Sequence, residues 1–297
     1  MADRPYLAAP AATWEILNKY NLRTQKKFGQ NFLIDAHIPE KIADAAQVEK
    51  TDCIIEIGPG IGTLTQFLAQ RAGRVVAIEI DEHLIPVLEE TLSEYDNTTV
   101  LQADVLKVDL RELIDMYAEG LCVKVVANLP YYITTPILMT MLEAKLPIES
   151  YTVMVQKEVA ERMQAGPGGK EYGALSLAVQ YYTRPQVVMQ VPPTCFLPQP
   201  KVGSTVIRLV SRRYQSGSDS DSLPVETEEL LFKVIRAAFG QRRKTLYNAL
   251  KNSGDVPCSM EQIREALSGC GFRPDIRGEA LDLEEFIFLT KALGYKD

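Results

Sequence analysis

From residue 53 onward the chain alternates short apolar runs, rich in β-branched residues, with stretches of helical periodicity, and few architectures accept that alternation. The runs are CIIEIG (53–58), VVAIEI (75–80), TTVLQAD (98–104), VKVVANL (123–129) and YTVMVQ (151–156). Nearly unbroken apolar runs suit strands buried on both faces, as in a parallel sheet covered by helices. Between them Leu64, Phe67, Leu68 and Arg71 keep helical spacing, as do Leu84, Val87 and Leu88, so the crossovers read as helices. A doubly wound α/β sheet follows. After Ala174 another helix, ALSLAVQYY, leads to QVVMQV (186–191) and VGSTVIRLV (202–210). The link between these last runs is too short for a helical crossover, which predicts an antiparallel closing pair and seven strands in all.

A polar tract, QSGSDSDS (215–222), then breaks the pattern. Beyond it everything reads helical, with capping boxes at Ser259 and Gln262 and at Asp282 and Glu285. The expected organisation is an N-terminal extension (1–20) without evident role, an α/β domain (21–211), a linker (212–222) and a small all-α C-terminal domain (223–297). A length of 297 residues suits one large and one small domain.

The formal charge of −7 argues against a nucleic-acid partner when taken alone. Five cysteines in no C-x-x-C pair, with only His37 and His83 beside them, argue against a zinc site or a disulfide framework. No signal-peptide pattern and no long uncharged apolar segment occurs, so a soluble cytoplasmic protein with no membrane or metal partner is expected.

The first strand runs into Gly58-Pro-Gly60-Ile-Gly62 and then a helix. Glycines at such a turn let the backbone bend sharply and let a ligand approach main-chain atoms. Glu79 ends the second strand, where an acid can hydrogen-bond both hydroxyls of a ribose, and Asp104 ends the third beside the same crevice. The bland alternatives are a solvated strand end for Glu79 and a helix-capping acid for Asp104. A dinucleotide loop would place its third glycine one residue later. The spacing found here, preceded by Glu56, resembles class I methyltransferases, Rossmann-like enzymes that bind S-adenosylmethionine. That resemblance implies that the loop passes under the methionine part, Glu79 holds the ribose and Asp104 approaches the adenine amine.

The fourth strand ends in Asn128-Leu129-Pro130-Tyr131, followed by Tyr132. This is similar to the [ND]-P-P-[YFW] signature of enzymes that methylate exocyclic amines. An adenine amine is a poor nucleophile because its lone pair is delocalised into the ring. A site that accepts hydrogen bonds from its hydrogens draws it toward sp³ geometry. The Asn128 side-chain oxygen and the carbonyl of Leu129 or Pro130 can accept them. Proline keeps a carbonyl aimed, and Tyr131 can stack on the base, a contact worth roughly 1–3 kcal/mol. Alternatively the segment is a strand-terminating turn with two surface tyrosines.

Taken together, QKKFGQNFL (25–33), EIGPGIGTLT (56–65), NLPYY (128–132), VQKE (155–158) and FLPQPKVGS (196–204) resemble the bacterial small-subunit rRNA adenine dimethyltransferases. The resemblance spans about residues 23–210 and implies dimethylation of two adjacent adenosines near the 3′ end of 16S rRNA, within the small ribosomal subunit or its precursor, with a role in subunit biogenesis. Its implied cofactor contacts are Asn31, Leu33, Gly58, Gly60, Glu79, Asp104 and Asn128. The catalytic turn comprises Asn128, Leu129, Pro130 and Tyr131, and Phe196 is the candidate for the second face of the adenine, with core packing as its alternative. Two other roles stay open: a large-subunit methyltransferase of the erythromycin-resistance type, and a chiefly non-catalytic assembly factor.

Local charge departs from the total. Residues 230–254 contain no acid but include Lys233, Arg236, Arg242, Arg243, Lys244 and Lys251, and residues 21–34 contain Arg23, Lys26 and Lys27 with no acid. Such stripes can neutralise phosphates, and Arg23, Lys26, Lys27, Arg242, Arg243 and Lys244 are the candidate RNA contacts; a merely solvated basic face is the alternative. Arg242, Arg243 and Lys244 read as opening a helix, where positive charge opposes the helix dipole and calls for an external anion. The glycine-rich loop 166–173 reads as a mobile lid, an RNA contact or a plain surface connection.

Overall fold

Strand β2 (Asp52–Ile57) is buried at all six positions, including its two acids Asp52 and Glu56, and the rest of the sheet is built outward from it. The computed structural model describes residues 7–22, 30–216 and 223–294. Ahead of β2 lie α1 (Pro10–Lys19), β1 (Phe32–Leu33) and α2 (His37–Ala45). After it come α3 (Thr63–Arg71), β3 (Arg74–Glu79), α4 (Ile85–Thr91), β4 (Thr98–Gln102), α5 (Leu110–Tyr117), β5 (Cys122–Asn128), α6 (Thr134–Glu143) and β6 (Ile148–Gln156). Then follow α7 (Lys157–Gln164), α8 (Ala174–Tyr182), β7 (Thr183–Val191), β8 (Phe196–Leu197), β9 (Ser204–Ser211) and α9 (Arg212–Ser216). The chain finishes with α10 (Val225–Gly240), α11 (Leu246–Ser253), α12 (Met260–Gly269) and α13 (Leu283–Gly294).

Seven strands form one sheet in the order β4-β3-β2-β5-β6-β9-β7. The pairs β4–β3, β3–β2, β2–β5 and β5–β6 are parallel, and β9 runs antiparallel to β6. Strand order reverses between β2 and β5, so a crevice opens beyond their C-terminal ends, where ligands of open α/β sheets bind. At the opposite ends the buried Lys124 ammonium meets Asp52 at 2.8 Å and donates to the Gln47 carbonyl, so the burial of both charges is compensated. A separate two-stranded ladder pairs β1 with β8, Leu33 opposite Phe196.

Two compact units divide the chain: Met1–Ala160 with Arg184–Gln215, and Glu161–Thr183 with Ser216–Asp297. The sequence reading assigned residues 161–183 to the α/β domain, whereas their contacts group them with the C-terminal helices. The reason is aromatic burial within that unit. Tyr172 is buried, donates its hydroxyl to the Leu281 carbonyl at 2.8 Å and meets Phe239 edge-on. Tyr181 and Tyr182 both donate to the buried Glu228 carboxylate, at 3.1 and 2.9 Å. The loop 166–173 is likewise tied down, since the Gly168 N–H donates to the Glu279 carbonyl at 2.8 Å. Both capping boxes form: Ser259 with Gln262, and Asp282 with Glu285. Of the expected linker, Arg212–Ser216 is helical and residues 217–222 lie outside those described.

Candidate active site

A single crevice at the C-terminal ends of β2, β3 and β5 gathers most of the residues singled out by sequence. Asn31, Leu33, Gly58, Gly60, Glu79, Asp104, Asn128, Leu129, Pro130 and Tyr131 all line it. Each reaches it for a local reason. Gly58 and Gly60 have positive φ, 68° and 62°, which glycine adopts without strain. A Cβ on Gly60 would stand 3.4 Å from the Phe32 ring, an ordinary van der Waals contact, so it is the positive φ that calls for glycine here. Around Gly58 a Cβ would meet nothing within 4 Å, because the space beside it is the crevice itself.

Glu79 is buried at the end of β3. Its Oε2 accepts from the Gly60 N–H at 3.3 Å and its Oε1 from the Asp81 N–H at 2.8 Å, which ties the acid to the glycine loop. Burial raises its pKa, and those backbone donors oppose the rise. Asp104 does not cap the following helix: Asp109 does, accepting from Arg111 and Glu112, while Asp104 accepts from the Leu106 N–H at 3.1 Å and stays partly exposed to the crevice.

The turn after β5 separates two carbonyls that sequence left equivalent. The Pro130 carbonyl already accepts from the Thr134 hydroxyl at 2.9 Å and from the Ile133 N–H at 3.2 Å. Leu129 donates its N–H to the Met154 carbonyl, and no described residue donates to its own carbonyl. Asn128 donates from Nδ2 to the Asn31 carbonyl at 3.3 Å, which leaves its Oδ1 to accept. The Tyr131 hydroxyl meets the Ser204 hydroxyl at 2.6 Å, fixing the ring from the start of β9, and Tyr132 beside it is exposed.

Three charged side chains line the crevice, Glu56, Glu79 and Asp104, and all are carboxylates; no described Lys, Arg or His joins them. Glu56, on β2, stands out in the sequence only as preceding the loop. Its Oε2 is buried without a hydrogen-bond partner, and so is the Thr63 hydroxyl on the same wall. This chemistry suits a ligand that is cationic or rich in N–H and O–H donors.

Phe196 is a correction. It does not line the crevice but is 2% exposed in the core with Leu33, Ile38, Met154, Val191 and Val206, held there by the β1–β8 pairing. The N-terminal extension, given no role by sequence, closes over the other side. Leu17 of α1 packs with Phe32, Ile61, Leu84 and Val87. Lys19 pairs with Glu90 at 2.6 Å, and Tyr20 donates to the same carboxylate at 2.5 Å. Phe32 thus sits between α1 and the glycine loop, and Asn31 and Leu33 flank it.

The basic stripe is also revised. Arg242, Arg243 and Lys244 lie in the turn before Thr245, which caps α11, and not inside a helix. The Arg242 guanidinium is committed internally, donating to Glu279 at 2.7 Å and to the carbonyls of Lys170 and Gly169 at 2.8 Å each. Arg243 and Lys244 are exposed. Arg23, Lys26 and Lys27 lie outside the described residues. Among the described residues no helix is long and apolar enough to cross a membrane, and no acidic, histidine or cysteine cluster could hold a metal.

A family model described as ribosomal RNA adenine dimethylase matches residues 21–266. The protein named ribosomal RNA small subunit methyltransferase A from Lachnoclostridium phytofermentans is 55% identical over 292 residues, covering 98% of this chain and 99% of its own. Its namesake from Clostridioides difficile is 49% identical over 290 residues, 98% of each chain. Among solved structures, a dimethyladenosine transferase from Plasmodium falciparum matches with a TM-score of 0.72 at 25% identity, covering 87% of this chain and 95% of its own. The 23S rRNA methyltransferase ErmE matches at 0.66 and 26%, covering 89% and 100%.

Proposed function

Because the chain belongs to the ribosomal RNA adenine dimethylase family, and is thus an S-adenosylmethionine-dependent rRNA adenine dimethyltransferase, we propose that its substrate is a pair of adjacent adenosines near the 3′ end of 16S rRNA, in the cytoplasmic small ribosomal subunit or its precursor. The observation that carries the chemistry is the turn after β5, where the Asn128 Oδ1 and the Leu129 carbonyl remain as acceptors at the crevice while the Pro130 carbonyl is taken.

S-adenosylmethionine supplies, when bound, a methyl group on a sulfonium that departs as a neutral thioether. Glu79 holds the ribose, Asp104 approaches the adenine amine of the cofactor, and Asn31, Leu33, Gly58, Gly60 and Asn128 complete its walls. Toward the substrate, Asn128 and Leu129 accept the amine hydrogens and concentrate the nitrogen lone pair on the reacting side. Tyr131 stacks on the base, and the exposed Tyr132 stands beside it. The ammonium formed on the base is acidic enough to lose its proton to water, so no basic side chain is required. A monomethylated amine still has one hydrogen for one of the two acceptors, so the same site accepts a second round. Unpaired loop bases are the least expensive to extrude, which fits a target outside a duplex.

Relatives at 49–55% identity carry the small-subunit name, whereas ErmE, at 26%, is named a 23S rRNA methyltransferase. Small and large subunits lacking the modification, incubated with the protein and methyl-labelled cofactor, separate the two readings. Mass spectrometry of the small-subunit rRNA 3′ end is expected to show two dimethyladenosines, and label confined to the large subunit overturns the assignment.

A further inference from the structure

Asp81 is a buried carboxylate, 3% exposed, to which the chemistry above gives no task, and it does not line the crevice. Its Oδ1 accepts from the His83 N–H at 3.1 Å, the ordinary cap of the short helical turn Glu82–Leu84. Its Oδ2 does something that a cap does not require: it accepts from the Gln30 Nε2 at 2.8 Å, 51 residues away in sequence. A hydrogen bond to a carboxylate is stronger than one between neutral groups, so Gln30 is held firmly. Beyond Asn31 the chain is fixed again, Leu33 by pairing with Phe196 and Ile34 by donating its N–H to the Cys195 carbonyl at 2.9 Å. The Asn31 peptide is thus clamped from both sides. Its carbonyl is the group that accepts from the Asn128 Nδ2 at 3.3 Å.

An asparagine amide is nearly symmetric in shape but opposite in function at its two ends, one an oxygen that accepts and the other an NH₂ that donates. Turned the wrong way, Asn128 would point N–H groups at the N–H groups of the adenine amine. From the clamp on either side of Asn31, we infer that Asp81 and Gln30 are positioning residues for methyl transfer. Asp81 anchors Gln30, the anchored segment fixes the Asn31 carbonyl, and that carbonyl holds the Asn128 amide with its Oδ1 toward the substrate amine. Asp81 therefore acts on the reaction from outside the crevice. Loosening the clamp costs the transfer step more than it costs cofactor binding, because a misaimed acceptor matters most while the amine nitrogen is reacting. The inference rests on the acceptor role given to Asn128 above, and the experiment distinguishes the two.

Reversing the polarity of the Gln30–Asp81 hydrogen bond tests this. Gln30→Glu sets two carboxylates face to face and is expected to lower kcat by about tenfold to a hundredfold, with the Kd of S-adenosylhomocysteine changed by less than about threefold. Asp81→Asn by itself keeps the turn capped, since Asn caps as well as Asp. Introduced into Gln30→Glu, it supplies a donor to the new acceptor and is expected to recover most of the lost kcat. In an Asn128→Ala background, where no amide remains to be aimed, Gln30→Glu is expected to cost nothing further. The inference is overturned by an unchanged kcat in Gln30→Glu, by a loss that Asp81→Asn does not repair, by a matching loss of S-adenosylhomocysteine affinity, or by an equal loss in the Asn128→Ala background. An undiminished kcat in Asn128→Ala removes the acceptor role itself, and this inference with it.

Discussion

At the scale of single residues, the site works by leaving particular atoms unsatisfied. Asn128 and Leu129 keep acceptors at the crevice, whereas Thr134 and Ile133 have claimed the neighbouring Pro130 carbonyl. Replacing Asn128 by Ala removes an acceptor that tightens in the transition state, so kcat is expected to fall by about 10²–10³-fold while the Kd of S-adenosylhomocysteine changes far less. Equal losses in both would mean that Asn128 serves only the cofactor. Glu56 carries a stability signature as well. Its carboxyl ionises near 8 in the folded chain and at the ordinary value of 4.5 when unfolded. The folded state therefore binds the proton more tightly, and its advantage, complete below 4.5, is lost as pH rises toward 8. In the ligand-free protein, chemical denaturation of Glu56→Gln against wild type should show a stability difference that grows with pH across this window by up to about 1.4 kcal/mol per unit. A constant difference would mean that the carboxyl ionises normally.

At the scale of elements, α1 does for the crevice what no contact residue does by itself. Leu17 backs the Phe32 ring, which lies against Gly60, and Phe32 and its neighbours Asn31 and Leu33 line the crevice. Leu17→Ala leaves a cavity behind that ring and is expected to lower stability by about 2–5 kcal/mol. It should also weaken S-adenosylhomocysteine binding at a temperature where the protein remains folded. Leu17→Met, of similar volume, should restore most of both. Lowered stability with unchanged ligand affinity would reduce α1 to a structural cover. Strands β1 and β8 show the same principle in two residues each, since their pairing is what commits Phe196 to the core.

Across the whole molecule, net charge and local charge answer different questions. The total of −7 describes the field far from the surface, while short acid-free stretches set what the surface can bind. Within the helical unit, one basic turn contains two kinds of cation. Arg242 clasps Glu279 and the 166–173 loop, so Arg242→Ala is expected to lower thermal stability with little effect on salt-dependent RNA binding. Arg243 and Lys244 are exposed, and their joint replacement by Ala should leave stability alone while reducing the slope of log K against log salt by about 1–2. The reverse pattern in a filter-binding salt series and a melting curve would refute this division of labour.

The alternation of apolar runs was enough to dictate a doubly wound sheet, because strands buried on both faces leave few other solutions. The glycine spacing, Glu79, Asp104 and Asn128 were legible for a related reason: each sits at the C-terminal end of a strand, so sequence position alone places it at one edge of the sheet. What sequence could not decide depended on partners far along the chain. Phe196 reads as a stacking residue until β8 pairs with β1 and the core closes around it. Arg242 reads as an RNA contact until Glu279 and the carbonyls of 169 and 170 take its donors. Leu129 and Pro130 are equivalent acceptors until Thr134 folds back on one of them. Local pattern thus determined which residues reach the crevice, because backbone periodicity is a short-range property. Tertiary structure decided which of their atoms remain available there, because a hydrogen bond or a packed ring is settled by whatever the fold brings alongside.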